Sequence, residues 1–175
     1  MIYLSYLERA AHAADELIAQ EGCREPDRLC RALGIRIYER EDFRKLRGMY
    51  ALVDGQPCVF IKADLEERMK TLILAHELGH HVLHADLMGQ LRVLQDVSLW
   101  DAASRPELEA NYFAAELLID DDFVLSFAHE GYSSGQMAAA LGYPEELLRM
   151  KAGILRERGA ELALTDPVCS NFLSR

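Results

Sequence analysis

The chain has 175 residues, of which 50% are hydrophobic, and a formal net charge of −10 at pH 7. A chain of this length and composition buries a hydrophobic core, which excludes an intrinsically disordered protein. The acidic balance argues against a nucleic-acid-binding protein, because affinity for phosphate depends on clustered lysine and arginine.

Two further classes of protein are disfavoured by the sequence. No stretch is long and apolar enough to cross a bilayer, and the N-terminus lacks the basic and apolar regions of a signal peptide, so we expect a cytoplasmic protein without membrane attachment. The cysteines are widely spaced without a C-x-x-C pair, which is typical of reduced structural residues rather than of disulfides or a thiolate zinc site. They are Cys23, Cys30, Cys58 and Cys169.

The first part of the chain predicts two helices and then a small sheet. Amphipathic spacing predicts a helix over residues 3–21, and a short second helix is predicted over 26–33, before Gly34. A turn is predicted at 54–56. Strand-like segments lie at 35–39, 47–53 and 57–62. We expect these three strands to form an antiparallel sheet.

A long helix is predicted to follow the sheet, over residues 64–84, with Asp64 as its N-cap and Glu66 and Glu67 in its first turn. Four further helices are predicted at 106–119, 121–129, 134–141 and 145–158. This order is typical of an α+β fold that is mainly helical, with a small antiparallel three-stranded sheet before the long helix.

The chain shows no internal repeat and no long linker. We expect residues 1–130 to form the main domain, 131–160 a small helix-turn-helix-like subdomain packed on it, and 161–175 a C-terminal tail. The basic residues of the last helix are balanced by glutamates, so we expect packing or substrate docking from this subdomain rather than contact with DNA.

The segment His76-Glu77-Leu78-Gly79-His80 matches the H-E-x-x-H signature of helical zinc peptidases. Residues four apart lie on one face of a helix, so His76 and His80 can bind one metal ion while Glu77 lies beside its bound water. Glycine costs about 1 kcal/mol relative to alanine inside a helix, so Gly79 indicates close approach of another element. The segment therefore predicts two metal ligands and a general base.

A catalytic zinc site needs a third protein ligand and an open position for water. The helix predicted after the long one carries three glutamates, and its geometry places Glu107 on the same face as the small residues Ala110 and Ala114. Glu109 lies on another face, with Glu116. We predict Glu107 as the third ligand and keep Glu109 as the alternative; otherwise we expect Glu109 and Glu116 to solubilise a surface helix.

Several other side chains are candidates for supporting roles. Asn111 lies one turn after Glu107 and could hydrogen-bond a ligand histidine. His84, Tyr50 and Tyr112 are candidate hydrogen-bond donors to the oxyanion that forms during peptide hydrolysis.

Four motifs together resemble a known family. They are Arg47-Gly48-Met49-Tyr50, L-A-H-E-L-G-H at 74–80, L-H at 83–84 and E-L-E-A-N-Y-F-A-A-E-L-L at 107–118. In this order, over roughly residues 1–160, the chain resembles the ImmA/IrrE family of bacterial and phage metallo-endopeptidases. Many members continue with Met-Pro where this chain has Ile119-Asp120, a departure that alters how the helix ends.

The resemblance implies a zincin-like metallopeptidase domain over residues 1–130. In it, His76, His80 and Glu107 would bind one zinc ion per chain, and Glu77 would be the catalytic base. Manganese is the alternative metal, because a His/His/Glu set accepts either ion. We expect the substrate to bind as an extended strand along an exposed sheet edge at 57–62.

The resemblance also implies a biological role. Many members inactivate a helix-turn-helix transcriptional repressor of a prophage, mobile element or stress regulon by cleaving it. The alternative is a non-catalytic, metal-containing regulatory module that binds a repressor or toxin without cleaving it. The presence of Glu77 and of all three candidate ligands favours the peptidase.

Overall fold

The computed structural model describes residues 5–88, 104–162 and 164. Within these ranges the chain forms seven α-helices and one three-stranded sheet. In chain order they are α1 (Tyr6–Glu21), α2 (Pro26–Ala32), β1 (Arg36–Arg40), β2 (Gly48–Val53), β3 (Gln56–Lys62), α3 (Glu67–Met88), α4 (Arg105–Leu118), α5 (Asp121–His129), α6 (Ser134–Leu141) and α7 (Glu145–Glu157). The predicted α+β fold, mainly helical with a small sheet before the long helix, is confirmed.

Helix α1 begins at a capping box and packs on α4. The Ser5 hydroxyl accepts a hydrogen bond from the Glu8 N–H, and the Glu8 carboxylate accepts one from the Ser5 N–H. The helix ends at Gly22, whose φ of 66° is the left-handed conformation that glycine adopts without strain. Buried alanines such as Ala10 and Ala14 allow its close approach to α4.

The sheet is mixed, so the expectation of a wholly antiparallel sheet is wrong. Its strand order is β1-β3-β2, with β1 parallel and β2 antiparallel to β3. Strands β2 and β3 form a hairpin whose two turn residues, Asp54 and Gly55, have φ values of 51° and 79°, as a type I′ turn requires. The chain crosses from one edge of the sheet to the other between β1 and β2. Alternation of polar and apolar residues is the same for either strand direction and could not predict this crossing.

The central position of β3 overturns the expected substrate edge at 57–62. Both sides of β3 are paired, one with β1 and the other with β2. An added strand can hydrogen-bond only to an unpaired edge. Among the described residues, the free edges of this sheet therefore belong to β1 and β2.

Helix α3 packs between the sheet and α4. It begins at Glu67, so the prediction of Asp64 as its N-cap and of Glu66 in its first turn is wrong. Asp64 instead pairs with Lys62 at 3.2 Å, in the connection after β3. The helix is buried over much of its length because it has a packing partner on both sides.

Helices α3 and α4 approach each other at Gly79, as the sequence predicted. A Cβ atom placed on Gly79 would lie 3.2 Å from the Cα of Ala110 and 3.1 Å from Cδ1 of Phe113. These distances are shorter than ordinary van der Waals contacts, so a larger residue at 79 would push the helices apart. The close approach brings the side chains of α4 within reach of those of α3.

The chain turns directly from α4 into α5. Helix α4 ends at Leu118, and Asp120 accepts a hydrogen bond from the Asp122 N–H at 2.9 Å, which caps α5. The pair Ile119-Asp120, which departs from the family pattern, thus connects two helices. Apolar residues from α1 to α7 belong to one hydrophobic core. The division of the chain near residue 130 stays a prediction.

A buried ion-pair network joins α7 to the rest of the fold. Lys151 is fully buried; its Nζ donates to Oε2 of Glu116 at 2.8 Å and also pairs with Asp121. Arg158 donates to the other oxygen of Glu116 at 3.0 Å and to Asp15 of α1 at 2.6 Å. Two basic residues of this region, the buried Lys151 and the exposed Arg158, therefore form ion pairs within the protein.

The described cysteines Cys23, Cys30 and Cys58 are free thiols, as expected, and Cys169 lies outside the described residues. Burial, with a smaller contribution from Asp27, raises the pKa of Cys30 to about 12 and keeps it a protonated thiol. Across the described part of the chain, no helix combines the length and apolarity needed to span a membrane.

Candidate metal centre

Helix α3 presents His76 and His80 toward Glu107 of α4, and Glu77 lies against Gly48 of β2. All three are buried, with exposures of 0%, 2% and 2%. The two histidine rings lie edge to face, 4.7 Å apart between centroids, and their Nε2 atoms are 3.1 Å apart. The spacing of four residues thus brings one nitrogen of each imidazole close enough to bind the same metal ion.

Glu107 of α4 completes this group. Its Oε2 lies 3.2 Å from Nε2 of His76, and its Oε1 lies 3.4 Å from Nε2 of His80. One donor atom from each of the three residues lies within 4.8 Å of the others, a cluster that could hold a metal ion. Of the two candidate glutamates, the structure brings Glu107 and not Glu109 to the histidines.

The protonation states of the group suit a cation. Burial lowers the pKa of His80 to about 4, so its imidazole is neutral at pH 7. Burial alone would raise the pKa of Glu107, but hydrogen bonds from His76 and His80 lower it well below its ordinary range. Neutral imidazoles and one carboxylate are the donor set of His₂Glu zinc sites, so the residues fit the ion that the sequence predicted.

Asn111 lies behind His76. Its Oδ1 is 2.9 Å from Nδ1 of His76, and it would accept a hydrogen bond from Nδ1–H of a neutral His76 whose Nε2 binds a metal ion. This is the contact expected of Asn111 from its place one turn after Glu107. A hydrogen bond of this kind fixes the tautomer and the orientation of a ligand histidine.

Gly48 of β2 lies against the carboxylate of Glu77, and sequence analysis gave it no role. A Cβ atom on Gly48 would lie 2.8 Å from Oε1 of Glu77 and would also collide with Ile73. Glycine at this position therefore leaves the space that the Glu77 carboxylate occupies. The sequence signal for this role was the glycine in the motif Arg47-Gly48-Met49-Tyr50. Only the packing of β2 on α3 shows which side chain this glycine accommodates.

The other candidates have contacts away from this group. The Tyr50 hydroxyl lies 2.9 Å from Nδ1 of His81, on another side of α3. The Tyr112 ring packs against the ring of Tyr6, 6.1 Å between centroids. His84 is buried and lies 3.3 Å from His80 between their Nδ1 atoms, on the side of His80 away from Glu107. The structure thus gathers neither tyrosine near Glu107, and it places His84 behind a candidate ligand.

Glu109 and Glu116 are buried, so the expectation that they solubilise a surface helix is wrong. Each is at most 2% exposed. Glu109 contacts His84 and Arg105, and Glu116 contacts Lys151. The sequence carried a partial signal in Arg105, since residues four apart on a helix pair readily.

Comparisons with known proteins show the family of this chain. The sequence pattern of the IrrE N-terminal-like domain family (Peptidase_M78) matches residues 30–152. A relative from Bacillus phage phi105, named "Uncharacterized immunity region protein 2", is 26% identical over 139 residues, which cover 79% of this chain and 86% of the relative. The resemblance to ImmA/IrrE proteins is thereby confirmed, and the chain belongs to the IrrE N-terminal-like domain family of peptidases.

Proposed function

We propose that this protein is a zinc-dependent endopeptidase in which His76, His80 and Glu107 bind the metal ion and Glu77 is the general base. The observation that carries the proposal is the convergence of three donor atoms within 4.8 Å of one another, two from α3, which also carries Glu77, and one from α4. Membership of a peptidase family supports the reaction type. Manganese remains the alternative ion.

Each part of the group has a task in peptide hydrolysis. The chemistry that a zinc ion supplies is polarisation of the scissile carbonyl and a lowered pKa for water. Glu77 accepts the proton of the attacking water and returns it to the leaving amine. Its position against Gly48 limits where the carboxylate can lie, which orients it for this transfer.

We further propose that the substrate binds as a strand along the free edge of β2. The Lys62 N–H donates to the Arg47 carbonyl at 2.9 Å, so these residues form a hydrogen-bonded pair. Hydrogen-bonded and non-hydrogen-bonded pairs alternate in an antiparallel ladder. The backbone groups of Gly48, Tyr50 and Leu52 therefore point to the free edge, and Gly48 lies beside Glu77.

Proline substitutions test this edge. Leu52→Pro removes an N–H that points outward and leaves the bonds between β2 and β3 intact, so cleavage should fall in a folded protein. Ala51→Pro, at the neighbouring position, removes a bond to β3 and should reduce stability as well. Unchanged cleavage by folded Leu52→Pro would place the substrate elsewhere.

For the substrate, we propose a helix-turn-helix repressor of a prophage, mobile element or stress regulon, met in the cytoplasm. The support is the family resemblance and the phage relative whose name places it in an immunity region. A peptidase that cleaves such a repressor has a narrow substrate range.

The decisive experiment incubates the purified, zinc-loaded protein with the repressor encoded beside its gene. Cleavage at one bond is expected from the wild type and not from Glu77→Gln, which keeps the shape of the side chain and removes the base. If Glu77→Gln binds zinc and still relieves repression fully in cells, the protein is a binding module rather than a peptidase.

A further inference from the structure

The metal-centre candidate His80 is supported from behind by a chain of buried polar groups. Its Nδ1 lies 3.3 Å from Nδ1 of His84, and Nε2 of His84 lies 2.8 Å from Oε2 of Glu109. His80, His84 and Glu109 are each 2% exposed, so water does not compete for these contacts. This series of polar contacts connects α3 to α4.

Once Nε2 of His80 faces a metal ion, these distances determine where the protons lie. A neutral imidazole that binds a metal through Nε2 carries its proton on Nδ1. His80 then donates its Nδ1–H to Nδ1 of His84, and His84 donates its Nε2–H to Glu109. The opposite tautomer of His84 would set two N–H groups against each other, which costs a buried hydrogen bond at each end.

Two arginines from different helices pair with the carboxylate of Glu109. Arg105 donates from Nε to Oε1 of Glu109 at 3.0 Å, and Nη1 of Arg9 lies 3.5 Å from the same oxygen. An ionised acceptor makes the hydrogen bond from His84 stronger than a neutral one would.

Arg9 links this chain of contacts to α1. Its Nη2 donates to the Leu83 carbonyl at 3.0 Å, next to His84 in α3. Arg9 lies before residues 30–152, the range that the family pattern matches. Helix α1 lies outside the matched range and contacts, through Arg9, the groups behind His80.

We propose that His84 and Glu109 are positioning residues that fix the tautomer and ring orientation of His80, and that Arg9 ties α1 to them. This role differs from the oxyanion donor that the sequence suggested for His84. The inference rests on the proposed function, because it takes His80 as a metal ligand. Removing an outer contact of this kind typically weakens metal binding about 10- to 100-fold.

The first test is the zinc dissociation constant of the full chain, measured by competition with a chromophoric chelator. Glu109→Met removes the acceptor at nearly constant length and should weaken zinc binding about 10- to 100-fold. Glu109→Gln should restore most of the affinity, because its amide oxygen still accepts from His84. Arg9→Met should weaken binding less than Glu109→Met, since Arg105 remains.

The matched control is Glu116→Gln, a change to another buried carboxylate on the same helix. Glu116 contacts Lys151 and Arg158 and lies nine residues from Glu107, about 13 Å along the helix axis. Its variant should lose stability and keep the zinc affinity of the wild type. Denaturation of the metal-free proteins measures the stability of each variant separately.

The second test is the ring ¹⁵N chemical shift of His84 in the zinc-loaded protein, which shows which nitrogen carries the proton. The wild type should carry it on Nε2, and Glu109→Met, which removes one of the two contacts that favour this tautomer, should weaken the preference; a merely structural role would leave the tautomer unchanged. A proton on Nδ1 in the wild type, or wild-type zinc affinity in folded Glu109→Met, would overturn the positioning role alone. A wild type that binds no zinc would overturn the proposed function together with it.

Discussion

The backbone of Gly48 lies so close to Glu77 that a methyl group on Gly48 would reach within 2.8 Å of the Glu77 Oε1 atom. This distance is shorter than a side-chain carbon tolerates, so one of the two residues would have to move. Strand β2 and the side chain of Glu77, the candidate base, are thus packed closely against each other.

We therefore expect Gly48→Ala to displace the Glu77 carboxylate and reduce kcat/KM by roughly 10- to 100-fold, the usual effect of a small misplacement at an active site. Zinc content should be unchanged, because Gly48 does not contact a ligand atom. The control is Gly153→Ala in α7, where the new methyl group would meet only Cδ1 of Leu7, at 3.8 Å. Full activity in Gly48→Ala would show that the added methyl group does not displace the Glu77 carboxylate, and would contradict this prediction.

Metal content tests the three ligands directly. Wild-type protein should hold zinc near one ion per chain, and His76→Ala, His80→Ala and Glu107→Ala should each lose it. Zinc at 100 times its dissociation constant should stabilise the wild type by about 2.7 kcal/mol and the variants by nothing. Glu109→Ala, by contrast, should retain zinc at weakened affinity, and complete loss of zinc in this variant would reopen the choice of third ligand. His12→Ala, at an exposed position on α1, is the control.

The metal-free protein should lose stability as the pH falls from 6.5 to 4. The pKa of His80 is lowered from its ordinary value of 6.5 to about 4 in the folded state, chiefly by burial. Between these values the unfolded chain binds a proton at this position that the folded chain does not, so the free energy of unfolding decreases with falling pH. A shift of this size is worth roughly 3 kcal/mol. Urea denaturation in the presence of a chelator measures it, and the slope should shrink in His80→Gln.

Removing Lys151 should destabilise the fold more than removing the whole ion pair. Burial raises the pKa of Glu116, while Lys151 and Arg158 oppose that shift. Lys151→Met leaves a buried carboxylate with one partner fewer, which typically costs about 3–5 kcal/mol. The double variant Lys151→Met/Glu116→Leu should recover part of this loss. Chemical denaturation of the wild type and the two variants measures the difference, and a loss below about 1 kcal/mol in Lys151→Met would contradict the prediction.

Sequence periodicity predicted the helices and strands because each depends on local spacing. The same reasoning on helix faces separated Glu107 from Glu109, since the two residues are close in sequence and lie on different faces of α4. The order of the strands could not be predicted in this way. The alternating pattern of β1 is the same whichever edge of β3 receives it, so the pattern does not distinguish the two edges.

Contacts between residues far apart in sequence were beyond sequence reasoning. Arg9 and Glu109 are brought together only by the packing of α1 on α4, and Lys151 meets Glu116 only because α7 packs on α4. A glutamate on an amphipathic helix is usually solvent-exposed, which is why both buried glutamates were misjudged. The N-cap of α3 was misplaced because Asp64 has a nearer partner in Lys62.

Gly79 has a consequence for how the protein could accommodate different metal ions. Because the backbones of α3 and α4 touch there, neither helix can shift inward or outward to suit the radius of an ion. The histidine rings cannot adjust either, since Asn111 and His84 hold them from behind. Of the three candidate ligands, Glu107 would be the one with freedom to adjust to a different ion. If manganese replaced zinc, the Glu107 side chain would therefore be the group that changes position.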